Sequence, residues 1–115
     1  MIGSLRGLVL EYSATTVLLE VAGVGYRVLV PGAILTLLKT GEEAFFYIHD
    51  HVREDSHDLY GFLSAADLQL FDQLLSISGV GPKVAMTILG IGSAETVRRA
   101  IMMGDVETLT SVPGV

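Results

Sequence analysis

The pattern of hydrophobic and polar residues changes its period near residue 63 of the chain. Before this point the apolar residues occur in short runs rich in β-branched and aromatic side chains, which are typical of strands. The predicted strands cover residues 2–10, 16–21, 26–30 and 43–52, with a last strand that ends at residue 62. A short helical segment is predicted for residues 31–38. Five strands with a helix inserted after the third favour a small Greek-key barrel of the OB type.

Glycines interrupt this first part of the chain. Gly3 and Gly7 fall within the first predicted strand and indicate that it is bent or bulged. The spacing of Gly23 and Gly25 is similar to that of a phosphate-binding loop, but no long helix and no Lys-Ser or Lys-Thr pair follows them. We therefore interpret these two glycines as part of a hairpin turn.

From Ser64 onward the apolar residues recur with the period of a helix. Ser64 is the predicted N-cap of the first helix. The predicted apolar stripes consist of Leu68, Phe71 and Leu75 on this helix and of Val84, Ala85, Ile88 and Leu89 on the next. A third helix is predicted to start near Ser93, and Asp105 is predicted to cap a short last helix over residues 106–111. This part of the chain is therefore expected to be all-α.

A short turn joins the first two predicted helices and contains Gly79, Val80, Gly81, Pro82 and Lys83. The two glycines permit positive φ and leave the backbone bare for a ligand, and proline is favoured at the first position of a helix. Free N–H groups of the turn and the positive end of the following helix would then face one point, which is an arrangement that binds phosphate. Lys83 adds a positive charge beside that point. The alternative is an ordinary αα-hairpin with glycines for tight packing.

A fainter copy of this segment ends the chain. When Gly79 is aligned with Gly114, residues 74–80 correspond to residues 109–115. Two phosphate-binding turns in one small domain suggest a ligand with regularly spaced phosphates. Because the chain stops in the middle of the second copy, we expect the sequence to be the front part of a longer one. The predicted domains are a barrel over residues 1–63 and an incomplete helical domain over residues 64–115.

Composition narrows the class of protein. A length of 115 residues suits one domain or two small ones. Half of the residues are hydrophobic and the mean hydropathy is +0.57, so we expect surplus apolar surface to lie in subunit contacts. No apolar run approaches the roughly 18–20 residues that span a bilayer, so a membrane protein is not expected. The chain lacks cysteine and a signal-peptide core, and we expect it to reside in the cytoplasm.

A net charge of −6 and a pI near 4.8 argue against nucleic-acid binding unless the charges are segregated. They are segregated in this chain. Residues 42–58 contain Arg53 as their only lysine or arginine, against six acidic residues: Glu42, Glu43, Asp50, Glu54, Asp55 and Asp58. Residues 76–104 contain Lys83, Arg98 and Arg99 against Glu95. A basic working face and an acidic region can therefore coexist in this chain.

Five short motifs occur in one order along the chain, namely the opening at residues 1–3 and the segments 23–26, 52–55, 59–62 and 79–83. With these motifs in this order, the chain resembles over its whole length the RuvA family, whose members bind four-way Holliday junctions in bacteria. The resemblance implies an OB barrel followed by a domain with two helix-hairpin-helix motifs that hold duplex phosphates through the minor groove. It also implies a homotetramer, or an octamer of two tetramers, that holds the junction open and flat.

The resemblance implies roles for individual residues. The implied phosphate-binding residues are Gly79, Val80, Gly81 and Lys83 in the first motif and Pro113, Gly114 and Val115 at the start of the second. The basic helix of the second motif is not within these residues, so we expect weaker DNA binding than is usual in the family. The family's third domain, which engages the RuvB motor ATPase, is not within them either, and we expect no coupling to that motor. RuvC resolvase is a further implied partner in recombination and DNA repair.

Glu54 and Asp55 match the acidic pin of the family. In a tetramer, four such pairs would meet at the centre of the junction and would keep phosphates out of it. A carboxylate and a phosphate about 4 Å apart repel by roughly 1 kcal/mol in water. The alternative is an exposed hairpin tip whose acidic side chains are merely solvated.

A group of histidines departs from the family pattern. His49, Asp50 and His51 precede the acidic pair, and His57 and Asp58 follow it. Imidazoles and carboxylates on adjacent strands can bind a divalent metal ion, but such residues more often form a polar strand face. We therefore expect no metal and no cofactor.

Two other classes of protein compete with a junction-binding subunit. A helix-hairpin-helix DNA glycosylase would use Lys83 as nucleophile and Asp105 as the acidic partner, but that family has a larger all-helical body and no N-terminal barrel. A pure assembly module would use the barrel and its apolar surface only for association. The sequence contains no Gly-x-x-x-x-Gly-Lys-Ser/Thr run, and no serine or cysteine nucleophile paired with histidine is evident. We therefore expect a DNA-binding subunit without a catalytic site.

Overall fold

In a computed structural model of the 115-residue chain, residues 1–91 and 94–102 are described. The strands are β1 Ser4–Tyr12, β2 Thr16–Val21, β3 Val24–Leu29, β4 Glu43–Val52 and β5 His57–Phe62. The helices are α1 Gly32–Leu35, α2 Ala65–Leu75, α3 Pro82–Ile91 and α4 Ala94–Met102. The chain divides into two compact units, of which the first covers residues 1–68 and the second begins at residue 69. The boundary expected from the sequence, between residues 63 and 64, stays a prediction.

The five strands of the first unit form a closed barrel in the order β1-β2-β3-β5-β4. The consecutive pairs β1–β2, β2–β3 and β4–β5 are antiparallel. β1 also pairs antiparallel with β4, and β3 pairs in parallel with β5. The single helical turn α1 connects β3 to β4. The predicted OB-type barrel with a helix after the third strand is therefore confirmed.

The barrel encloses a core of alternating strand residues. Val9, Val17, Leu19, Val28 and Phe46 are at most 1% exposed, and each belongs to a strand whose neighbouring residues lie nearer to solvent. Burying a side chain of this size stabilises a fold by roughly 1.5–3 kcal/mol. Because side chains in a strand alternate between two faces, a one-residue slip would expose this set, so the core fixes the strand register.

The first strand is bulged, but not at its glycines. The pairing of β1 with β2 shifts by one residue between Val9 and Glu11, whereas the prediction placed the irregularity at Gly3 or Gly7. Gly7 instead allows the two strands to approach, because a Cβ atom there would overlap the carbonyl oxygen of Glu20. The absence of a side chain therefore serves packing at this position and not bending.

The turn between β2 and β3 is tighter than predicted. Val21 pairs directly with Val24, so that only Ala22 and Gly23 form the loop. Both have positive φ, 50° and 86°, which matches the backbone twist favoured in two-residue hairpins. The predicted hairpin turn is confirmed at Gly23, whereas Gly25 lies in β3 and pairs with Glu20.

Replacing Gly7 with alanine should lower the free energy of unfolding by about 1–3 kcal/mol, because the added methyl group must displace the backbone of β2. Gly3→Ala is the matched control, since a Cβ atom at Gly3 would meet nothing within 4 Å. The free energy of unfolding of both variants is measured by urea denaturation monitored by circular dichroism. Equal stability of the two would contradict the close approach at Gly7.

Helix α2 begins as predicted and buries a different stripe. The backbone N–H of Asp67 donates to the Ser64 hydroxyl at 3.1 Å, which confirms Ser64 as the capping residue. The buried residues are Leu70, Phe71 and Leu74, whereas Leu68 and Leu75 are only partly buried. Of the predicted stripe, Phe71 is fully buried and the other two residues lie at the edge of the buried face. Leucines occur on overlapping faces of this helix, and tertiary packing selects among them.

The second unit contains most of α2, together with α3 and α4. Of the stripe predicted on α3, Ala85 and Ile88 are buried, whereas Val84 and Leu89 are partly buried; Val97 of α4 is buried as well. Ser93, Asp105 and the predicted helix at residues 106–111 lie outside the described residues. Within the described part of the chain, the helices are too short or too polar to cross a membrane.

Candidate nucleic-acid interface

Residues 76–81 connect α2 to α3 in a turn held by its own backbone. The N–H of Ile77 donates to Leu74 O, and the N–H of Val80 donates to Ile77 O, both at 3.1 Å. Gly79 adopts a φ of 86°, which a residue with a side chain rarely adopts. The side chain of Val80 is 6% exposed and packs in the interior of the helical unit. The turn thus has a fixed shape, with Val80 as its anchor.

The same turn presents backbone donors that the fold does not use. Within the described residues, the amides of Gly79 and Gly81 have no acceptor. The first turn of any helix leaves further N–H groups free, and Pro82 occupies the helix position at which no donor is needed. The first helical bond runs from Ala85 N–H to Gly81 O at 2.9 Å. These donors, at the positive end of α3, form a site suited to an anion.

Space and charge at the turn also suit a phosphate group. A Cβ atom built at Gly79 or at Gly81 would meet nothing within 4 Å, so the backbone is open on this side. Lys83 is exposed on the first turn of α3, and its side chain carries the nearest positive charge in the sequence. Both requirements of a phosphate-binding turn, free amides and an adjacent cation, are therefore present.

The predicted phosphate-binding residues fall into two groups. Gly79, Val80, Gly81 and Lys83 lie together in this turn, although Val80 contributes a buried side chain and an N–H that is already bonded. Pro113, Gly114 and Val115, predicted to start the second motif, lie outside the described residues.

A second charged feature is the turn between β4 and β5, residues 53–56. The N–H of Arg53 donates to Ser56 O at 2.8 Å and closes the turn. Glu54 and Asp55 occupy its tip, and both are exposed. Since Val52 pairs with His57, the strands remain in register up to the base of the turn. The turn therefore presents two solvated carboxylates on a rigid hairpin.

A row of polar side chains leads along β4 to this turn. The rings of His49 and His51 are joined by a hydrogen bond of 3.2 Å between Nε2 and Nδ1. The guanidinium Nε–H of Arg53 donates to His51 Nε2 at 3.0 Å. These three residues share one strand face because side chains alternate along β4. Burial lowers the pKa of His51 below its ordinary value of 6.5, and the charge of Arg53 lowers it further, which favours the neutral ring that accepts this bond.

The remaining histidine has a different role. His57 bonds to Asp50, and Asp50 also accepts the backbone N–H of Ile2 at 2.7 Å. This backbone hydrogen bond, assisted by His57, lowers the pKa of the Asp50 carboxyl. Asp50 thereby ties the N-terminal segment to β4.

The histidines do not assemble into a metal site. Within the described residues, no group of three or more His, Cys, Asp or Glu side chains is placed to hold a metal ion. His49 and His51 lie on one face of β4, whereas Asp50 and its partner His57 lie on the other. The geometry gives the metal alternative no support, because His51 already accepts a bond from the positively charged Arg53.

Sequence reasoning missed the bond between Arg53 and His51. The signal that would have found it is the spacing i, i+2, i+4 on one strand, which places His49, His51 and Arg53 side by side. The sequence pattern suggests a metal site or a polar strand face for these histidines and a counter-charge to the acidic residues for Arg53, so neither alternative pairs Arg53 with His51.

The lowered pKa of His51 predicts a contribution to stability that depends on pH. The native state favours the neutral ring, so this contribution is lost as the pH falls from about 6.5 through the lower pKa of the folded protein. His51→Gln replaces the ring with a carbonyl acceptor that does not titrate. The free energy of unfolding of the wild type, relative to that of this variant, should therefore decrease between pH 7.5 and 5 in urea denaturation. A constant difference across this range would contradict the assignment.

Two known family models match successive parts of this chain. The family model described as the RuvA N terminal domain matches residues 1–61. The model described as the SAM-like helix-hairpin-helix tandem matches residues 71–115. The first match covers the barrel with its acidic turn, and the second covers the glycine turn.

Curated relatives match the chain over its full length. The chain is 48% identical over 115 residues to a protein of Mycobacterium avium (strain 104) and to one of Mycobacterium ulcerans (strain Agy99). It is 47% identical to one of Mycobacterium bovis (strain BCG / Pasteur 1173P2). Each relative is named Holliday junction branch migration complex subunit RuvA. All of this chain is covered, but it spans only 58% of the first two relatives and 59% of the third.

Proposed function

The chain belongs to the RuvA N-terminal domain family, and from this membership we propose that it binds four-way Holliday junction DNA by shape, independently of base sequence. The observation that carries the proposal is the turn at residues 76–81, with its free backbone amides beside Lys83. Backbone amides and a lysine bind phosphate oxygens and do not read base edges. The specificity for junctions would then come from the arrangement of several such sites.

Each residue of the turn has a distinct part in this proposal. The amides of Gly79 and Gly81 donate to a phosphate oxygen, and Lys83 supplies the charge. Val80 holds the turn in place through its buried side chain. Pro113, Gly114 and Val115 begin a second phosphate-binding turn of the same kind. One such turn contacts one or two phosphates, so the logarithm of the affinity per subunit should fall with the logarithm of the salt concentration with a slope of roughly −1 to −2.

The wider role follows from the family. We propose a non-catalytic subunit, arranged as barrel domain 1–63 and helix-hairpin-helix domain 64–115, that acts in the cytoplasm in DNA recombination and repair. The subunit would act as a homotetramer, or as an octamer of two tetramers, because several weak phosphate sites gain affinity by engaging together. The branch-migration motor RuvB and the resolvase RuvC are its proposed protein partners. RuvB would bind a part of the protein beyond these 115 residues.

The acidic turn would shape the junction rather than bind it. Glu54 and Asp55 are exposed at the tip of a rigid hairpin, so their charges are held at a fixed place. Each would repel a phosphate about 4 Å away by roughly 1 kcal/mol in water. In a tetramer, the four pairs would keep the exchanging strands apart at the crossover.

The barrel favours this proposal over a helix-hairpin-helix glycosylase. That enzyme class lacks an N-terminal barrel, whereas residues 1–68 of this chain form a closed five-stranded one. Asp105, the acidic partner that the enzyme would need, lies outside the described residues. An assembly module without DNA binding is tested by the first experiment below.

Gly81→Asn should weaken binding to a labelled four-way junction at least tenfold in a gel-shift titration. Asparagine is a favourable N-cap whose side chain bonds the amides of the first turn of the helix, so it preserves α3. The same side chain covers the open backbone at Gly81 that a phosphate must approach. Lys83→Gln should weaken binding about three- to tenfold and reduce the salt slope by about one. Gly32→Asn is the matched control, because it makes the same change at an open position on a helix start in the barrel.

Failure of the wild-type chain to shift the junction while it still associates with itself would favour an assembly module. Full-strength binding by a correctly folded Gly81→Asn protein would contradict the assignment of the glycine turn. Wild-type affinity equal for linear duplex and for junction would contradict recognition by shape.

The double variant Glu54→Gln, Asp55→Asn should bind both junction and duplex DNA more tightly at low salt, because two repulsive charges per subunit are removed. The control Glu11→Gln, Glu20→Gln neutralises two exposed carboxylates elsewhere on the barrel. Fluorescence anisotropy over a range of salt concentrations measures both. An equal gain in affinity in the control would attribute the effect to net charge, and unchanged binding by the first variant would exclude a repulsive pin.

A further inference from the structure

Arg53 is the basic residue of the barrel whose side chain is held by a histidine ring. It is exposed, and Glu54 and Asp55 follow it directly in the chain. Within the described residues, however, Arg53 forms no ion pair, and its side chain makes a single hydrogen bond, from Nε to His51. By contrast, Arg6 on β1 pairs with Glu43 at 3.2 Å. The two terminal NH2 groups of Arg53 are thus left for another acceptor.

The hydrogen bonds that hold Arg53 run in one direction. His51 Nε2 accepts from Arg53, so the proton of the neutral His51 ring lies on Nδ1. That Nδ1–H then donates to His49 Nε2, which assigns the same tautomer to His49. Both rings contact Tyr60 on β5: the ring centroid of His49 lies 6.3 Å from that of Tyr60, and the ring centroid of His51 lies 6.2 Å from it. The guanidinium is therefore positioned by a row of rings packed on the barrel wall.

We propose that Arg53 binds a phosphodiester group of the junction beside the acidic turn, and that His51 and His49 are the residues that position its guanidinium. This inference rests on the proposed function. It adds an attractive contact to a turn that the family resemblance describes only as repulsive.

Three physical features support a phosphate as the ligand. The terminal NH2 groups of a guanidinium form a planar fork that matches two phosphate oxygens. Because Nε is bonded to a neutral imidazole and not to a carboxylate, the full positive charge remains available. The side chain is already held in place, so binding loses less conformational freedom than it would for a mobile arginine.

The arrangement also divides the turn into two electrostatic sides. Glu54 and Asp55 repel a phosphate from the tip, whereas Arg53 attracts one on the face of β4 that carries His49 and His51. Asp58 lies on this face as well, paired with His51 across the strands, but among the described residues it forms no ion pair with Arg53. A strand that passes the hairpin would then be directed to one side of it. With carboxylates alone, the turn could exclude a strand but could not select the side.

The inference is tested with five variants of the chain and a labelled four-way junction. Arg53→Gln should weaken binding about tenfold at low salt and reduce the salt slope by about one per subunit. His51→Ala should weaken binding about threefold, and His51→Gln should restore it, because the Gln carbonyl can accept from Arg53. In the Arg53→Gln background, His51→Ala should change the affinity by less than about twofold, because it acts only through Arg53. Arg6→Gln, which removes the same charge elsewhere on the barrel, should have little effect.

The outcomes separate this inference from the proposed function. Absence of junction binding by the wild-type chain would contradict the proposed function itself. Normal binding by the wild type with unchanged affinity and salt slope in Arg53→Gln would overturn the role of Arg53 alone. Equal losses from His51→Ala with and without Arg53 would overturn the positioning role. Circular dichroism and thermal midpoints of all variants identify any loss that comes from unfolding.

Discussion

Closure of the barrel through β1 is the constraint on which the first unit depends. This strand pairs with β2 on one side and with β4 on the other, so every strand has two neighbours and no edge is left unpaired. An open five-stranded sheet would expose a row of backbone donors and acceptors at each edge. Closure also surrounds the apolar side chains on all sides, which a domain of this size needs in order to bury enough surface.

The same closure holds the β4–β5 hairpin in place. β4 pairs with β1 over Glu43–Tyr47 and with β5 over Tyr47–Val52, so the base of the hairpin is part of the closed barrel and its outer half is held by the β4–β5 pairing. Asp50 adds a tie to the N-terminal segment through the amide of Ile2. The charged turn at residues 53–56 is thus carried by a hydrogen-bonded hairpin whose base belongs to the barrel. Electrostatic effects on a ligand depend on such support, since a charge that moves freely in water is screened and its direction is lost.

Glycine serves three different purposes in this chain, and only one of them concerns a ligand. Gly23 provides the positive φ of a tight hairpin, and Gly7 permits two strands to approach closely. In the turn before α3, Gly79 and Gly81 leave amides uncovered and without internal partners. The difference lies in whether the free N–H groups meet an acceptor within the fold. A glycine pair in a sequence therefore indicates a binding site only when a helix start and a cation accompany it.

An acidic chain can carry a phosphate-binding function because charge acts locally. The acidic residues concentrate in residues 42–58, whereas Lys83 and the arginines of α4 belong to the second unit. At physiological salt the Debye length is about 8 Å, so charges farther apart than this interact weakly. The net charge of −6 is consequently a poor guide to the potential at either turn.

The sequence by itself determined the order and type of the elements, the cap at Ser64 and the glycine turn before α3, because these depend on neighbours a few residues apart. Only the tertiary structure decided that β3 pairs in parallel with β5, that the bulge of β1 falls between Val9 and Glu11, and that α2 buries Leu70 and Leu74. It also decided that Arg53 bonds to His51 and not to the carboxylates beside it in the chain. Each of these features results from competition between partners of similar chemistry, and packing across the barrel or the helical unit selects one of them.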